Sequence, residues 1–241
     1  MDLLIESFRQ AAHLLLGGDP YVRQILLLSL RVSCVAVTLG MLVGLPIGTV
    51  VGMARFPGRR FVVTLIHTGF ALPPVVVGLF VYLLLSRAGP AGGLHLLFTP
   101  TAMILAQVLL ATPYIAGITL AAVQSVPPDA RRQARSLGAS PLRAVMTHVG
   151  EARTGVVAAV IAGFGAVISE VGAVLLVGGN IRGETRVITT AIVLETRRGN
   201  FAVAMALGLV LLAVAFTVNL LLTQLQQKQA AKGGAGARPW S

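Results

Sequence analysis

Charged residues and cysteine are both scarce in this sequence of 241 residues. Charged side chains make up 11% of it, against roughly 25% in soluble globular domains. The single cysteine, Cys34, lies in an apolar run, which excludes an intramolecular disulfide and a thiolate metal cluster. The glycine-rich phosphate loop G-x-x-x-x-G-K-[ST] is also missing. These absences argue against a soluble domain and against an ATP site, and we expect this chain to bind no cofactor or metal.

Apolar residues are correspondingly abundant, at 56% of the sequence. Because an α-helix needs about 20 apolar residues to cross a bilayer, long apolar runs predict transmembrane helices. Five runs qualify, which predicts an all-α membrane protein with about five transmembrane helices. The predicted spans are residues 25–54, 61–86, 101–126, 155–177 and 201–225.

Two terminal segments flank these spans. Residues 1–24 carry apolar side chains at helical spacing, including Leu4, Ile5, Phe8 and Ala12, which predicts an amphipathic helix lying on the membrane surface. Residues 226–241 are polar and rich in glycine and alanine. We expect this second segment to be a disordered cytoplasmic tail, because it has too few apolar side chains to pack.

The net charge of +11 comes largely from basic residues in the short segments between the spans. This placement indicates an orientation in the membrane rather than nucleic-acid binding, since basic loops tend to stay on the cytoplasmic side. We expect the segments after the first and third spans and the tail to be cytoplasmic, which places the N-terminus outside. The supporting residues are Arg55, Arg59, Arg60, Arg131, Arg132, Arg135, Arg143, Arg153, Lys228, Lys232 and Arg238.

Glycine recurs at every fourth position of the first span, at Gly40, Gly44, Gly48 and Gly52. These residues share one helix face, and small residues on such a face allow another helix to approach closely. Packing within the chain is one interpretation, and a dimer seam or a face that slides during transport is the other. Pro46, in the same span, should bend the helix.

Proline and one acidic residue interrupt other apolar runs. Pro73 and Pro74 in the second span, and Pro113 in the third, free backbone carbonyls, which predicts either structural kinks or breaks beside a pathway. Glu170 falls within the fourth span, where a carboxylate is costly. We expect it to have a structural partner, either Arg31 or a backbone group. No nucleophile–base pair accompanies it, which disfavours a membrane enzyme.

The segment between the third and fourth spans predicts a short cytoplasmic helix. Asp129 suits its positive N-terminal end, Gly138 can end it in a left-handed cap, and Ser140 can cap the next helix. A stiff helix here can fit a groove on a soluble partner and pass motion into the membrane, although a plain surface connector is the alternative. The residues assigned to this coupling segment are Asp129, Arg131, Arg132, Ala134, Arg135, Leu137, Gly138 and Ser140.

The stretch A-R-S-L-G-A-S-P at residues 134–141 resembles the cytoplasmic loop of type I ABC-importer permeases. Their E-A-A-x-x-x-G pattern aligns on Gly138, with Ala134 matching and Arg132 in place of the glutamate. The stretches ISEVGAVLLVGGNIRGETR, at 168–186, and VITTAIVLETRRGN, at 187–200, resemble a narrower group, the tungstate-type permeases related to molybdate permeases. The resemblance extends over residues 25–225.

This resemblance implies one transmembrane domain over residues 25–225, and a transport pathway formed by two permease subunits, here two copies of this chain. It also implies a separate ABC ATPase that binds the cytoplasmic loops and hydrolyses ATP. An extracytoplasmic binding protein is expected to deliver a small oxyanion, and tungstate is the cargo that the resemblance favours. Molybdate, sulfate and phosphate are alternative cargoes, and a non-transporting membrane scaffold is an alternative of another class.

With that implication, the loop after the fourth span becomes a candidate external entrance for the anion. Its net positive charge would raise the local concentration of a dianion. Asn180, Arg182, Thr185 and Arg186 offer hydrogen-bond donors for oxyanion oxygens. The alternative is that these arginines bind lipid headgroups or the delivering protein.

Overall fold

A computed structural model describes residues 5, 6, 8, 9, 12, 20–127 and 129–234. From Pro20 onward this described part folds into ten α-helices and one short 3-10 helix, Gly92–Leu94. The all-α prediction is thereby confirmed for the described residues. The helices are α1 (Pro20–Met53), α2 (Arg59–Phe70), α3 (Pro74–Leu85), α4 (Pro100–Ser125), α5 (Asp129–Ser136), α6 (Pro141–Glu151), α7 (Arg153–Ile168), α8 (Gly172–Gly178), α9 (Ile188–Arg197) and α10 (Phe201–Gly234).

Three helices are individually long and apolar enough to cross a bilayer, namely α1, α4 and residues Phe201–Gln224 of α10. Two further spans arise if each of two bent helix pairs is taken as one crossing. The axes of α2 and α3 differ by 100°, and those of α6 and α7 differ by 69°. The described residues thus contain three to five spans, in agreement with the predicted number of about five.

The second predicted span, 61–86, is broken rather than continuous. Phe70 ends α2, and Pro74 is the first residue of α3 after an extended Pro73 with ψ of 122°. Proline lacks an N–H group and disfavours helical backbone in the residue before it, so two consecutive prolines end the first helix. A single proline is tolerated elsewhere, since Pro46 lies inside α1 and Pro113 lies inside α4.

The fourth predicted span, 155–177, is also interrupted, and Glu170 lies in the interruption rather than inside a helix. Ile168 ends α7 and Gly172 begins α8. The Glu170 carboxylate accepts a hydrogen bond of 2.9 Å from the backbone N–H of Ala173, so it caps the first turn of α8. Its partner is therefore a backbone group and not Arg31, whose side chain is exposed.

The terminal helices extend past the predicted boundaries. The first span begins at Pro20 instead of residue 25, and α10 continues to Gly234, beyond the predicted start of a disordered tail at residue 226. Most of the predicted amphipathic segment, 1–24, and residues 235–241 lie outside the described residues.

The four glycines of α1 all face α4. A Cβ atom added at Gly48 would overlap the carbonyl oxygen of Ala116 and lie 2.8 Å from Cβ of Thr119. Residue numbers increase together along the contact, so the two helices run parallel. We call this contact the glycine seam, and it pairs Gly40 with Ala111, Gly44 with Ile115, Gly48 with Ala116, and Gly52 with Val123.

The parallel seam defines two ends of the helix bundle. The last turns of α1 and α4 lie at one end, beside α5, and we call this the α5 end. The first turn of α1 lies at the opposite end, where the Gln24 side-chain amide donates a 2.9 Å hydrogen bond to the carbonyl of Gly183. We call this the loop end, after residues 179–187.

The seam predicts that Gly48→Ala destabilises the protein by about 1–3 kcal/mol, because the added methyl group forces α1 and α4 apart. The matched control is Gly208→Ala in α10, where an added Cβ meets no atom of the described part of the chain within 4 Å. Unfolding of both variants in detergent, followed by circular dichroism, checks the difference. Equal stability of the two variants would contradict the seam.

Candidate coupling surface and anion loop

Helix α5, which the sequence predicts to be a coupling helix, is short and begins with an acidic residue. Asp129 lies in its first turn, near the positive end of the helix dipole. Its Oδ1 lies 3.4 Å from Nη1 of Arg132, and both side chains are exposed. Such an exposed pair contributes little stability, so Arg132 remains available to other partners. The side chain of Arg131 lies outside the described residues.

The helix ends in a left-handed cap at Gly138, as the sequence predicted, and the cap is a Schellman motif. Gly138 has a φ of +84°, which is left-handed and favours glycine. The N–H of Gly138 donates to the carbonyl of Arg135, and the N–H of Ala139 donates to the carbonyl of Ala134, both at 3.0 Å. An added Cβ at Gly138 would meet no atom of the described residues within 4 Å, so it is the backbone conformation that favours glycine here.

A second cap follows directly after this turn. The Ser140 hydroxyl accepts a hydrogen bond from the N–H of Arg143 at 3.4 Å, and Pro141 occupies the first position of α6. Two consecutive caps leave few free backbone groups between α5 and α6. The connection is therefore a defined corner and not a loose linker.

Apolar side chains project from this corner instead of being buried. Leu137 is 86% exposed, Leu142 70% and Met146 65%. Leu142 and Met146 are one helical turn apart on α6, a spacing that the sequence analysis did not use. Of the three, Leu137 lines a groove of about 500 Å³ between α5 and α6. Clustered exposed apolar side chains are typical of a surface that binds a partner.

At the loop end, the Thr185 hydroxyl has no hydrogen-bond donor left for an anion. Its side chain is buried, and its hydroxyl donates to the carbonyl of Gly178 while it accepts from the N–H of Ile181 at 2.9 Å. Thr185 therefore closes the turn that follows α8.

Arg186 is likewise engaged inside the loop. Its Nε and Nη2 donate to the side-chain and backbone oxygens of Asn180, both at 3.1 Å, and its Nη1 donates to the hydroxyl of Tyr21 at 2.9 Å. The Asn180 side chain also donates to the carbonyl of Thr190 at 3.3 Å. These bonds hold the left-handed Asn180, with φ of +53°, and tie the loop to α1.

Arg182 differs from the other three predicted entrance residues because it is exposed. Its guanidinium carbon lies 5.1 Å from the centre of the Tyr21 ring, within range of a cation–π contact. The structure thus brings Asn180, Arg182, Thr185 and Arg186 together, but Arg182 is the one that presents its charge to solvent. Sequence reasoning missed Tyr21, since no local pattern links it to a loop so distant along the chain.

Comparison with known proteins defines the class. The profile of the family described as "Binding-protein-dependent transport system inner membrane component" matches residues 44–231. The chain therefore belongs to that family. It is a permease subunit of an ABC importer and not an enzyme, because ATP hydrolysis in these importers occurs on a separate ATPase. The family also implies a substrate-binding protein as a second partner.

Individual relatives are similar over almost their whole length. The chain is 46% identical over 221 residues to "Probable anion ABC transporter permease protein" of Haloferax volcanii, which covers 90% of this chain and 95% of the relative. It is 40% identical over 228 residues to "Tungstate uptake system permease protein TupB" of Peptoclostridium acidaminophilum, which covers 95% and 100%. The MetNI methionine ABC transporter in an inward-facing conformation shares the fold, with a TM-score of 0.67 at 18% identity over 87% of this chain and 95% of that one.

The loop geometry predicts different effects for its two arginines. Arg186→Gln removes the fork that holds Asn180, so amide hydrogen exchange in residues 179–187 should accelerate by about tenfold or more. Arg182→Gln is the control, and it should leave the exchange of these amides unchanged because, within the described residues, Arg182 makes no hydrogen bond that holds the loop. Exchange measured by mass spectrometry checks this, and equal protection in both variants would contradict the assignment.

Proposed function

We propose that this chain is the permease subunit of an ATP-driven importer of a small oxyanion, namely tungstate. The observation that carries the proposal is the similarity to a tungstate uptake permease over 95% of this chain and 100% of the relative. Similarity confined to a coupling motif would support only the general class. Similarity over nearly all of both chains includes the spans and loops that surround the pathway.

The coupling corner is the surface that we assign to the ATPase. Exposed Leu137, Leu142 and Met146 supply apolar contact area, and the two caps fix the turn between α5 and α6 so that force can pass between the helices. Movement of the ATPase against α5 is transmitted to α4 and α6, which adjoin α5 in sequence. It is transmitted to α1 through the glycine seam. The α5 end is then cytoplasmic, with the N-terminus outside and the C-terminus in the cytoplasm, as the basic segments of the sequence predict.

A second copy of this chain completes the pathway in this proposal. Large apolar side chains cover the outer faces of α1 and α3, among them Leu42, Val50 and Phe80, which are 63%, 59% and 60% exposed. These faces are available to lipid and to a second permease. The glycine seam is occupied by α4 within the chain, so the dimer contact involves other faces.

At the loop end, Arg182 is the residue that we assign to attraction of the anion. An exposed guanidinium at the entrance raises the local concentration of a dianion and speeds its arrival. Asn180, Thr185 and Arg186 position the loop and do not bind the cargo. Discrimination among oxyanions then belongs largely to the binding protein, and this chain holds no cofactor.

The experiment that tests the proposal is reconstitution of the permease, ATPase and binding protein in liposomes. Tungstate should stimulate both ATP hydrolysis and uptake more strongly than molybdate or sulfate at equal concentration. Stimulation by sulfate and not by tungstate would reject the cargo. An intact complex that neither hydrolyses ATP faster nor transports with any of the three anions would instead indicate a membrane scaffold.

The coupling surface predicts that Leu137→Asp weakens co-purification of the ATPase by about tenfold, because a charge replaces an exposed apolar contact at the centre of the corner. Leu94→Asp is the matched control, since Leu94 is 64% exposed and lies at the loop end. Affinity pull-down of the complex from detergent measures both. Unchanged recovery of the ATPase with Leu137→Asp would contradict the assignment.

A further inference from the structure

A cavity of about 740 Å³ lies at the α5 end, between the last turns of α1 and α4, the start of α2, and helices α5 and α6. Among the described residues that line it, four are basic and none is acidic. These four are Arg55, Arg59, Arg132 and His148. We call this space the basic cavity.

The arginines of the basic cavity are only partly neutralised. Nε of Arg59 donates to the carbonyl of Val51 at 2.8 Å, which fixes the half-buried guanidinium at the wall. The Nη groups of Arg59 and the whole guanidinium of Arg55 have no hydrogen-bond partner among the described residues. The Asp129 carboxylate, whose Oδ1 lies 3.4 Å from Nη1 of Arg132, offsets the positive charge of that arginine. A surplus of positive charge therefore remains.

His148 provides an independent sign of a missing partner. Its side chain is 5% exposed, and Nε2 lies 3.0 Å from the carbonyl oxygen of Val123. A carbonyl only accepts hydrogen bonds, so Nε2 carries the proton. The other ring nitrogen, Nδ1, is buried without a partner among the described residues. In a ring protonated at Nε2 alone, Nδ1 is a hydrogen-bond acceptor, so the partner it lacks is a donor such as an internal water and not an oxyanion oxygen.

We propose that the basic cavity binds a tetrahedral oxyanion group, either a free oxyanion or the phosphate of an anionic lipid headgroup. Guanidinium groups bind such oxygens through pairs of parallel hydrogen bonds. Arg55 and Arg59 come from the connection between α1 and α2, and Arg132 comes from α5, so one bound anion bridges both segments. Its binding thus bears on how firmly α5 is held.

This site lies at the opposite end from Arg182, and it does not require that tungstate is the transported cargo. The first arm of the test uses the full-length chain in nanodiscs of phosphatidylcholine, titrated with tungstate and with inorganic phosphate by calorimetry. We expect one site per chain, with an affinity about tenfold or more lower in the Arg55→Gln/Arg59→Gln variant.

The matched control is Arg60→Gln, because Arg60 adjoins Arg59 and is exposed but does not line the cavity. Its affinity should stay within about twofold of the wild type. Arg55 is itself exposed, so Arg55→Gln alone serves if the double variant does not fold. Arg182→Gln in the background of each variant removes any contribution from the loop end.

The second arm uses nanodiscs that contain phosphatidylglycerol, with native mass spectrometry to count retained lipids. Retention that is lost in the double variant assigns the cavity to a lipid phosphate, and loss of tungstate or phosphate binding assigns it to a free oxyanion. Either result supports the proposal. The proposal is overturned if neither binding depends on Arg55 and Arg59. It is also overturned if their loss affects only co-purification of the ATPase, which would assign the cavity to an acidic protein segment.

Discussion

The close contact of α1 with α4 is the constraint on which the rest of the structure depends. Helices in a bilayer gain little from hiding apolar surface, so association relies on van der Waals contact at close range. Glycine at every fourth position of α1 allows that approach, with Gly48 directly over the backbone of Ala116. Since α1 reaches Gln24 at the loop end and Gly52 at the α5 end, this contact fixes the positions of the two candidate surfaces relative to each other.

Polar side chains form hydrogen bonds with backbone groups where the spans are interrupted. A bilayer offers no water to free N–H and C=O groups, so breaks need partners from the protein. At the break before α8, Glu170 accepts from the N–H of Ala173, and the Thr189 hydroxyl donates to the carbonyl of Glu170. The Gln107 side chain donates to the carbonyl of Val167 at 3.0 Å. The carboxylate inside the membrane region is thus explained by structure, without catalysis.

Local features could be predicted from the sequence, and features that join distant segments could not. The caps at Gly138 and Ser140 depend on a few adjacent residues, so they can be predicted from the local sequence. The break at Glu170 was missed because the apolar run continues through it to Val177. The hydrogen bond between Arg186 and Tyr21 depends on tertiary packing, and so does the placement of Arg59 and His148 in the wall of one cavity. From the sequence, the donor groups at the loop end are therefore interpreted as an anion entrance, although in the structure most of them make hydrogen bonds within the loop.

In the proposed function, α5 is a rigid helix on the cytoplasmic side that is connected to the bundle through α4 and the glycine seam. Its sidedness is tested by labelling Leu137→Cys, in a Cys34→Ser background, with a membrane-impermeant maleimide. Leu137 is exposed, so reagent on the correct side reaches it. The account predicts labelling in inside-out vesicles and protection in right-side-out vesicles. Labelling in right-side-out vesicles would contradict it.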